Sequence, residues 1–398
     1  MNTIILGGGF GGLAAAQTLR SLLPNKHTIT LISKSSHFLV GAGKTWIVTA
    51  NRRAAEIMCD LKSLIPRNVD FLQAEVQRIS SSKAEVVTSA GTLRVDFLVI
   101  ALGADLKMSA VPGLAESAYS FYTLDEAVRL GEMLDGFEAG DVVLLIPQTP
   151  FKCPPAPYEA AFLLNSMFMN RGIRDRVRLS IHTVEPAPMP TAGVEMSVVI
   201  RDLMEKCNIA YYPGNQTKSV DPAKKIILFQ NGREVHYDLL IAVPPHEAPR
   251  VVREAGLLNQ TGWIPVDPKT LKVDAPESAV PIFAVGDVTV LPLPGRYKAD
   301  APLVLPKAGV FAASQGVVAA HQIAAAVLGK PSPMDFDGKG FCYIEVGGNK
   351  AIKGEGSFFD LPHPVMKRRA PDEAQFRDKL EWVKSWLEGR GVGESHRR

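Results

Sequence analysis

Residues Met1–Arg20 read MNTIILGGGFGGLAAAQTLR, and the fold turns on the middle of that stretch. Thr3–Leu6 is apolar and strand-like, the glycines follow at once, and Gly11–Leu22 carries a helical pattern. A second strand-like run, Thr28–Ile32, closes a β-α-β opening. The spacing Gly7-x-Gly9-x-x-Gly12 is what a dinucleotide turn needs. Glycine lets the backbone turn tightly and approach a pyrophosphate, while the helix start offers unpaired N–H groups and a positive dipole end. Gly7, Gly9, Phe10, Gly11 and Gly12 are therefore expected to hold a dinucleotide. The position about 20 residues on, where an acid usually holds the ribose, is occupied by Ser33 and Lys34. A hydroxyl or backbone group is expected to make that contact instead. GAGKT at 41–45 has the end of a phosphate loop but Phe38 where its first glycine belongs, and it reads as coincidence.

A second α/β pattern starts at Asp141, with a strand at Val142–Ile146, a helix at Tyr158–Met169 and a strand at Val177–Thr183. Its turn should be a second nucleotide cradle. Instead the connection reads PQTPFKCPPAP, with Pro147, Pro150, Pro154, Pro155 and Pro157 around Cys153. Proline removes backbone donors and fixes φ. Such a turn cannot cradle NAD(P)H, but it can hold one side chain in place. Further on, IFAVGD ends a strand at Gly286–Asp287, a helix is predicted over Ala308–Leu328, and GFCYIEVGGNKAIKGEG reads as a hairpin. The segment from His37 to Pro66 carries no assignable pattern.

Bulk properties exclude several classes. The formal charge of +3 is accounted for by the segment from Met366 onward, with nine basic against six acidic residues. The balanced body and the absence of any recognition motif argue against nucleic-acid binding. The N-terminus lacks a basic region and cleavage site, so it is not a signal peptide. No run reaches the roughly 18 apolar residues of a membrane span. A cytoplasmic protein is expected, in which the four cysteines are thiols and any disulfide is catalytic.

The opening GxGxxG, VIALG at Val99–Gly103 and AVGD at Ala284–Asp287 together resemble the three FAD landmarks of the two-dinucleotide-binding-domain flavoproteins. Leu102 replaces the usual threonine of the second. Within that group, FKCPPAPYE and the later GKGFCYIEVGG are similar to the sulfide:quinone oxidoreductases and the flavoprotein subunit of flavocytochrome c sulfide dehydrogenase. The resemblance implies an α/β fold of two Rossmann-like domains with a C-terminal extension. The FAD domain would be split over 1–105 and 280–330, the Cys-loop domain would span 106–279, and 331–398 would complete the chain. It implies a redox pair, Cys153 and Cys342. Hydrosulfide attacks the disulfide or sulfur bridge between them, leaving a persulfide and a thiolate, and Cys342 passes two electrons to FAD. Val76, Ala101, Gly103, Gly286, Asp287, Lys307 and Gly309 join the cofactor-binding set, with Lys307 and Gly309 meeting the isoalloxazine.

Glu159 has two readings, an acid/base for the thiols or a first-turn carboxylate favoured by the helix dipole. His246 reads as a solvated loop histidine with a weaker claim to proton transfer, and Cys59 and Cys207 as packed thiols. Tyr122 stands where many quinone-linked members have a third cysteine, and 35–45 lacks the cysteine that carries covalent FAD in the flavocytochrome subunit. Non-covalent FAD is expected, with no metal. In the tail, Phe376, Leu380, Val383 and Leu387, with Trp382 and Trp386, span roughly 160° of a helix. This stripe suits a bilayer interface on the cytoplasmic face, or docking on its own protein or a sister subunit. Quinone is the expected acceptor and a homo-oligomer the expected assembly. The rivals are a cytochrome acceptor, an NADH:quinone-type oxidoreductase and a non-enzymatic flavin sensor.

Overall fold

The computed structural model describes residues 1–298 and 300–394. The opening folds as its pattern dictates: strand Asn2–Leu6, glycine turn, helix Phe10–Leu22 and strand Thr28–Ser33. These strands lie in a five-stranded parallel sheet. Its order is Ile282–Ala284, Phe97–Ile100, Asn2–Leu6, Thr28–Ser33, Asp70–Gln73. The late strand Ile282–Ala284 thus returns to the sheet begun at the N-terminus, pairing in register with Leu98–Ile100. All four residues of Phe97–Ile100 are buried, as a strand covered on both faces requires.

A second, four-stranded parallel sheet has the order Ile209–Tyr212, Val177–Thr183, Gly140–Ile146, Leu239–Ala242. Helix Ala156–Asn170 crosses between its two central strands. The hairpin Lys339–Gly347 and Lys350–Ser357 gains a third strand, Val365–Arg368.

Helix Gly309–Leu328 is long and apolar enough by composition to cross a bilayer, which corrects the expectation that no segment qualifies. It is a core helix nonetheless. Val317, Val318, Ala319, Ala320 and Ile323 are buried, and a side chain at Gly316 would strike the carbonyl of Gly11 on the neighbouring helix. Glycine there permits close approach of the two helix backbones.

The segment from His37 to Pro66, unreadable in sequence, forms a two-stranded ribbon of His37–Leu39 with Met58–Asp60 and a short helix, Lys44–Val48. Phe38, Trp46 and Ile57 anchor it in the core. The tail helix Glu373–Leu387 also docks inward. Its buried face is Gln375, Lys379, Trp382, Val383 and Trp386, one position away from the stripe centred on Phe376 and Leu380. Trp382 stacks on Phe10 at 5.9 Å, and Trp386 meets Phe10 and Phe38 edge-on or stacked. Each such ring buries about 150–250 Å². At ~25 cal/mol per Å² that is roughly 4–6 kcal/mol per ring. Withdrawing the helix to lie on a bilayer would forfeit both, so the tryptophans serve the protein's own core.

Candidate active site

A cavity of about 670 Å³ lies between the two parallel sheets' turns and the C-terminal hairpin. The glycine turn, the Cys153 loop, the segment 302–312, strand Lys339–Gly347 and the tail helix all contribute to its wall. Gly9, Phe10, Gly11, Ala101, Gly103, Gly286, Asp287, Lys307 and Gly309 all line it, and so do Cys153, Glu159 and Cys342. The structure thereby brings together residues separated by most of the chain.

Among the described residues its wall does not include Gly7, Gly12, Ser33, Lys34 or Val76. Gly7 and Gly12 shape the turn: Gly7 has φ +108°, and a side chain on Gly12 would meet the carbonyl of Gly7. Ser33 stands against Gly8 and donates to the Ser35 carbonyl at 2.8 Å. Lys34 pairs with Glu75 at 2.9 Å on the surface. Val76 packs with the Ile79 and Val86 cluster rather than beside the cavity.

Two features fit a flavin nucleotide. Nothing lies within 4 Å of the position a side chain on Gly9 would take, so the turn leaves open space at the helix start. Asp287 Oδ1 is buried without a hydrogen-bond partner, an acceptor suited to a ligand hydroxyl. Lys307 does not offer its ammonium to the cavity. Its Nζ donates to the carbonyls of Asp287 at 2.6 Å and Thr289 at 2.8 Å, and sits 3.5 Å from the Trp263 ring centroid. It braces the loop that presents Asp287.

The proline loop holds Cys153 at φ +58°, a left-handed conformation that a non-glycine residue adopts only under constraint. The Cys153 N–H donates to the Lys307 carbonyl at 2.7 Å, and helix Ala156–Asn170 begins three residues on. Cys342 sits opposite Gly354 in the hairpin. Burial pushes the Cys153 thiol up to about 11 and that of Cys342 to about 12. The Glu159 carboxylate adds to both shifts, and Lys379 and Lys44 oppose the first. Both thiols are therefore protonated at neutral pH.

Glu159 is buried, and its position in the first turn is only part of its setting. Its Oε1 accepts from Thr45 Oγ1 at 2.8 Å, its Oε2 from the Glu345 N–H at 3.0 Å, and both oxygens from Lys379 Nζ at 2.9 Å. Lys379 Nζ also donates to Glu345 Oε1 at 2.6 Å, which accepts from Trp46 Nε1 as well. Burial and the Glu345 charge raise the Glu159 carboxyl while Lys379 holds it down. Burial opposes the charge on Lys379, but the two carboxylates outweigh it and keep the ammonium above its usual range. One cation thus serves two buried carboxylates beside the cysteines.

Lys379, Glu345, Lys44, Thr45 and Trp46 were not anticipated as site residues. Lys379 lies at the buried-face spacing with Trp382 and Trp386, and a lysine in that register is a signal. The segment GAGKT is no phosphate loop, yet Lys44 and Thr45 line the cavity. Lys44 Nζ donates to the Tyr122 carbonyl, and burial lowers its ammonium to about 7. His246 is buried rather than solvated. Its Nδ1 lies 2.7 Å from the Pro244 carbonyl, its Nε2 has no partner, and burial depresses it to about 3. A histidine so depressed is neutral at physiological pH. Cys59 and Cys207 are half-buried away from the cavity.

The second turn differs from a nucleotide cradle at its acid as well as at its prolines. Glu185, at the end of strand Val177–Thr183 where a ribose-binding acid belongs, is buried and accepts from Tyr158 Oη at 2.6 Å and Thr183 Oγ1 at 3.3 Å.

Residues 1–144 match the family described as Pyridine nucleotide-disulphide oxidoreductase. Residues 127–244, which contain the proline loop, match the central region of the Sulfide dehydrogenase [flavocytochrome c] flavoprotein chain. Over most of its length the chain is similar to sulfide:quinone oxidoreductases. It is 28% identical over 340 residues to a sulfide-quinone reductase of Aquifex aeolicus, covering 83% of this chain and 77% of that protein. It is 25% identical over 378 residues to the mitochondrial sulfide:quinone oxidoreductase of Mus musculus, covering 90% and 78%. The crystal structure of the sulfide:quinone oxidoreductase from Aquifex aeolicus superposes with a TM-score of 0.87 at 24% identity, over 98% of this chain and 92% of that one. That likeness shows a shared α/β fold with parallel sheets.

Proposed function

We propose that this chain is a flavoenzyme that oxidises sulfide at Cys153 and Cys342 and passes the electrons through a flavin to a quinone. The observation that carries the reading is the placement of both cysteines in the wall of the cavity that the glycine turn and Asp287 also line. FAD fits that cavity, held non-covalently: 35–45 contains no cysteine for attachment, the Gly9 turn leaves room for a pyrophosphate, and Asp287 offers an unpaired acceptor. When bound, the flavin supplies two-electron chemistry between the thiol site and the acceptor.

In the oxidised enzyme the pair, free thiols in this structure, is joined by a disulfide or sulfur bridge. Hydrosulfide attacks Cys153; the new S–S bond forms a persulfide there as the bridge breaks, and the electron pair leaves on Cys342. In a wall that pushes both thiols far above neutrality, that thiolate is high in energy; it would yield two electrons to a bound flavin only as its sulfur bonds to the Cys153 persulfide, which restores a sulfur bridge and releases a proton. The cations at the site, Lys44 and Lys379, moderate the charge on Cys153. Glu159 handles the proton in concert with Lys379, with which it shares two hydrogen bonds. The prolines position Cys153, and Glu185, engaged by Tyr158, is withheld from any nicotinamide ribose.

The division of the chain follows the same reading: 1–105 and 280–330 form the flavin domain, 106–279 the Cys-loop domain and 331–398 the C-terminal unit. The enzyme works as a homo-oligomer at the cytoplasmic face of a membrane. Cys153→Ser and Cys342→Ser variants test the mechanism. Each should retain flavin while sulfide-dependent quinone reduction falls by at least about three orders of magnitude, the scale of losing a nucleophile. Undiminished turnover in either variant removes the cysteine pair from the reaction.

A further inference from the structure

Burying the tail tryptophans leaves open how a bilayer-dissolved acceptor reaches the cavity, and the surface holds an answer. Among the described residues, five of the nine exposed large hydrophobics fall in three segments: Val194 and Val198, Val304, and Leu361 and Val365. Val194 and Leu361 are each 70% exposed. The segments are far apart in sequence but meet at Tyr297. Its Oη donates to the Pro364 carbonyl at 3.0 Å and lies 3.4 Å from the Thr191 carbonyl, and its ring packs on His363. Arg296 N–H donates to the Pro362 carbonyl at 2.9 Å, tying the second segment to the third. Val194 and Val198, one helical turn apart, share a face.

The same three segments supply Thr191, Pro302, Val304 and Met366 to the cavity wall. Pro302 and Val304 are both exposed and cavity-lining, so the cavity reaches the surface inside this apolar rim. Lys298, Lys367 and Arg368 stand exposed on it, beside Glu195, Asp300 and Asp360. The remaining exposed hydrophobics, Met1, Val128, Met169 and Leu328, belong to other elements. A gathered apolar patch marks an interaction surface where scattered residues do not.

We infer that this rim, and not the tail helix, seats the protein on a lipid bilayer, so that a quinone passes from the hydrocarbon into the cavity without crossing water. The inference rests on the quinone reading above, and continuity between patch and cavity selects its occupant. An acceptor soluble in lipid needs an apolar mouth, and since three acids offset the rim's three cations, its apolar residues rather than its charge select the bilayer. A water-soluble acceptor would need no apolar mouth.

The test uses the full-length, flavin-loaded protein and vesicles of phosphatidylcholine and phosphatidylglycerol carrying a long-chain ubiquinone. A Val194→Asp, Leu361→Asp double variant should bind the vesicles about tenfold or more weakly, since each charge must be desolvated at an apolar interface. It should reduce the vesicle-borne quinone correspondingly slowly. Flavin bleaching by sulfide and reduction of a short-chain, water-soluble ubiquinone should match the parent. A Met169→Asp, Leu328→Asp control should bind as the parent does. Equal vesicle binding by the parent and rim variant overturns the inference, as does equal weakening in rim variant and control. A parent dimer that ignores vesicles and that the rim substitutions dissociate also overturns it, assigning the patch to a second copy. Failure of sulfide to bleach the parent's flavin strikes instead at the reading beneath, whatever the vesicles show.

Discussion

Two crossovers in this molecule share one plan and differ in what they offer a ligand. Each joins a buried parallel strand to a helix, Asn2–Leu6 to Phe10–Leu22 and Gly140–Ile146 to Ala156–Asn170. The first is built of glycine, and its turn presents backbone to open space at Gly9. The second is built of proline, and its turn presents one side chain, Cys153, in a left-handed conformation. Backbone presentation suits a phosphate; side-chain presentation suits covalent chemistry. A single β-turn-α geometry thus serves cofactor binding at one place and thiol chemistry at another, depending on which residue types occupy the turn.

The sharpest way to break the comparison is at Gly9. A Gly9→Val substitution meets no protein atom near the new Cβ, so the apoprotein should fold with its thermal midpoint little changed, while bound flavin falls to a few per cent or less as the pyrophosphate site fills. Absorbance at the flavin band against protein concentration reads this directly. Full flavin content would mean that the glycine turn is not the cradle.

A smaller effect probes the field around the second turn. Glu159 raises the Cys153 thiol and Lys379 lowers it. Replacing Glu159 by Gln removes the first influence and leaves Lys379 with less carboxylate to neutralise it, so the thiol should ionise more easily. A group pushed up to about 11 is only sparsely thiolate at pH 8. Thiolate is the reacting form, so iodoacetamide labelling of Cys153 in the reduced parent should climb steadily with pH to about 11. In Glu159→Gln it should be several-fold faster at pH 8, as a fraction of a pKa unit implies. A rate unchanged or slowed, read by peptide mass spectrometry, would detach Glu159 from the thiol.

The parts of the structure legible in sequence are those set by neighbours along the chain. Glycine spacing, strand periodicity and the run of prolines are local, and they gave the two crossovers, the helix near Gly309 and the cysteine loop. The Glu159–Lys379–Glu345 cluster is not local. Thr45 reaches Glu159 across 114 positions and Lys379 across 220, so no window of sequence contains it. Glu345 within FCYIEVGG and Lys379 between Phe376 and Trp382 are charged residues in apolar patterns. Burial of such residues needs a partner, which is the trace they leave. The tail stripe misled for a related reason: an apolar face names no partner, and here Phe10 and Phe38 supply it.

Thiol chemistry at the proline turn is tested most directly by an anaerobic visible titration of the flavin-loaded protein, with sulfide in one cuvette and NADH in another. Sulfide should bleach the flavin band completely and NADH should leave it unchanged, because the second turn has no backbone cradle and Glu185 is already engaged. Bleaching by NADH with no response to sulfide would contradict the assignment of the proline turn to thiol chemistry.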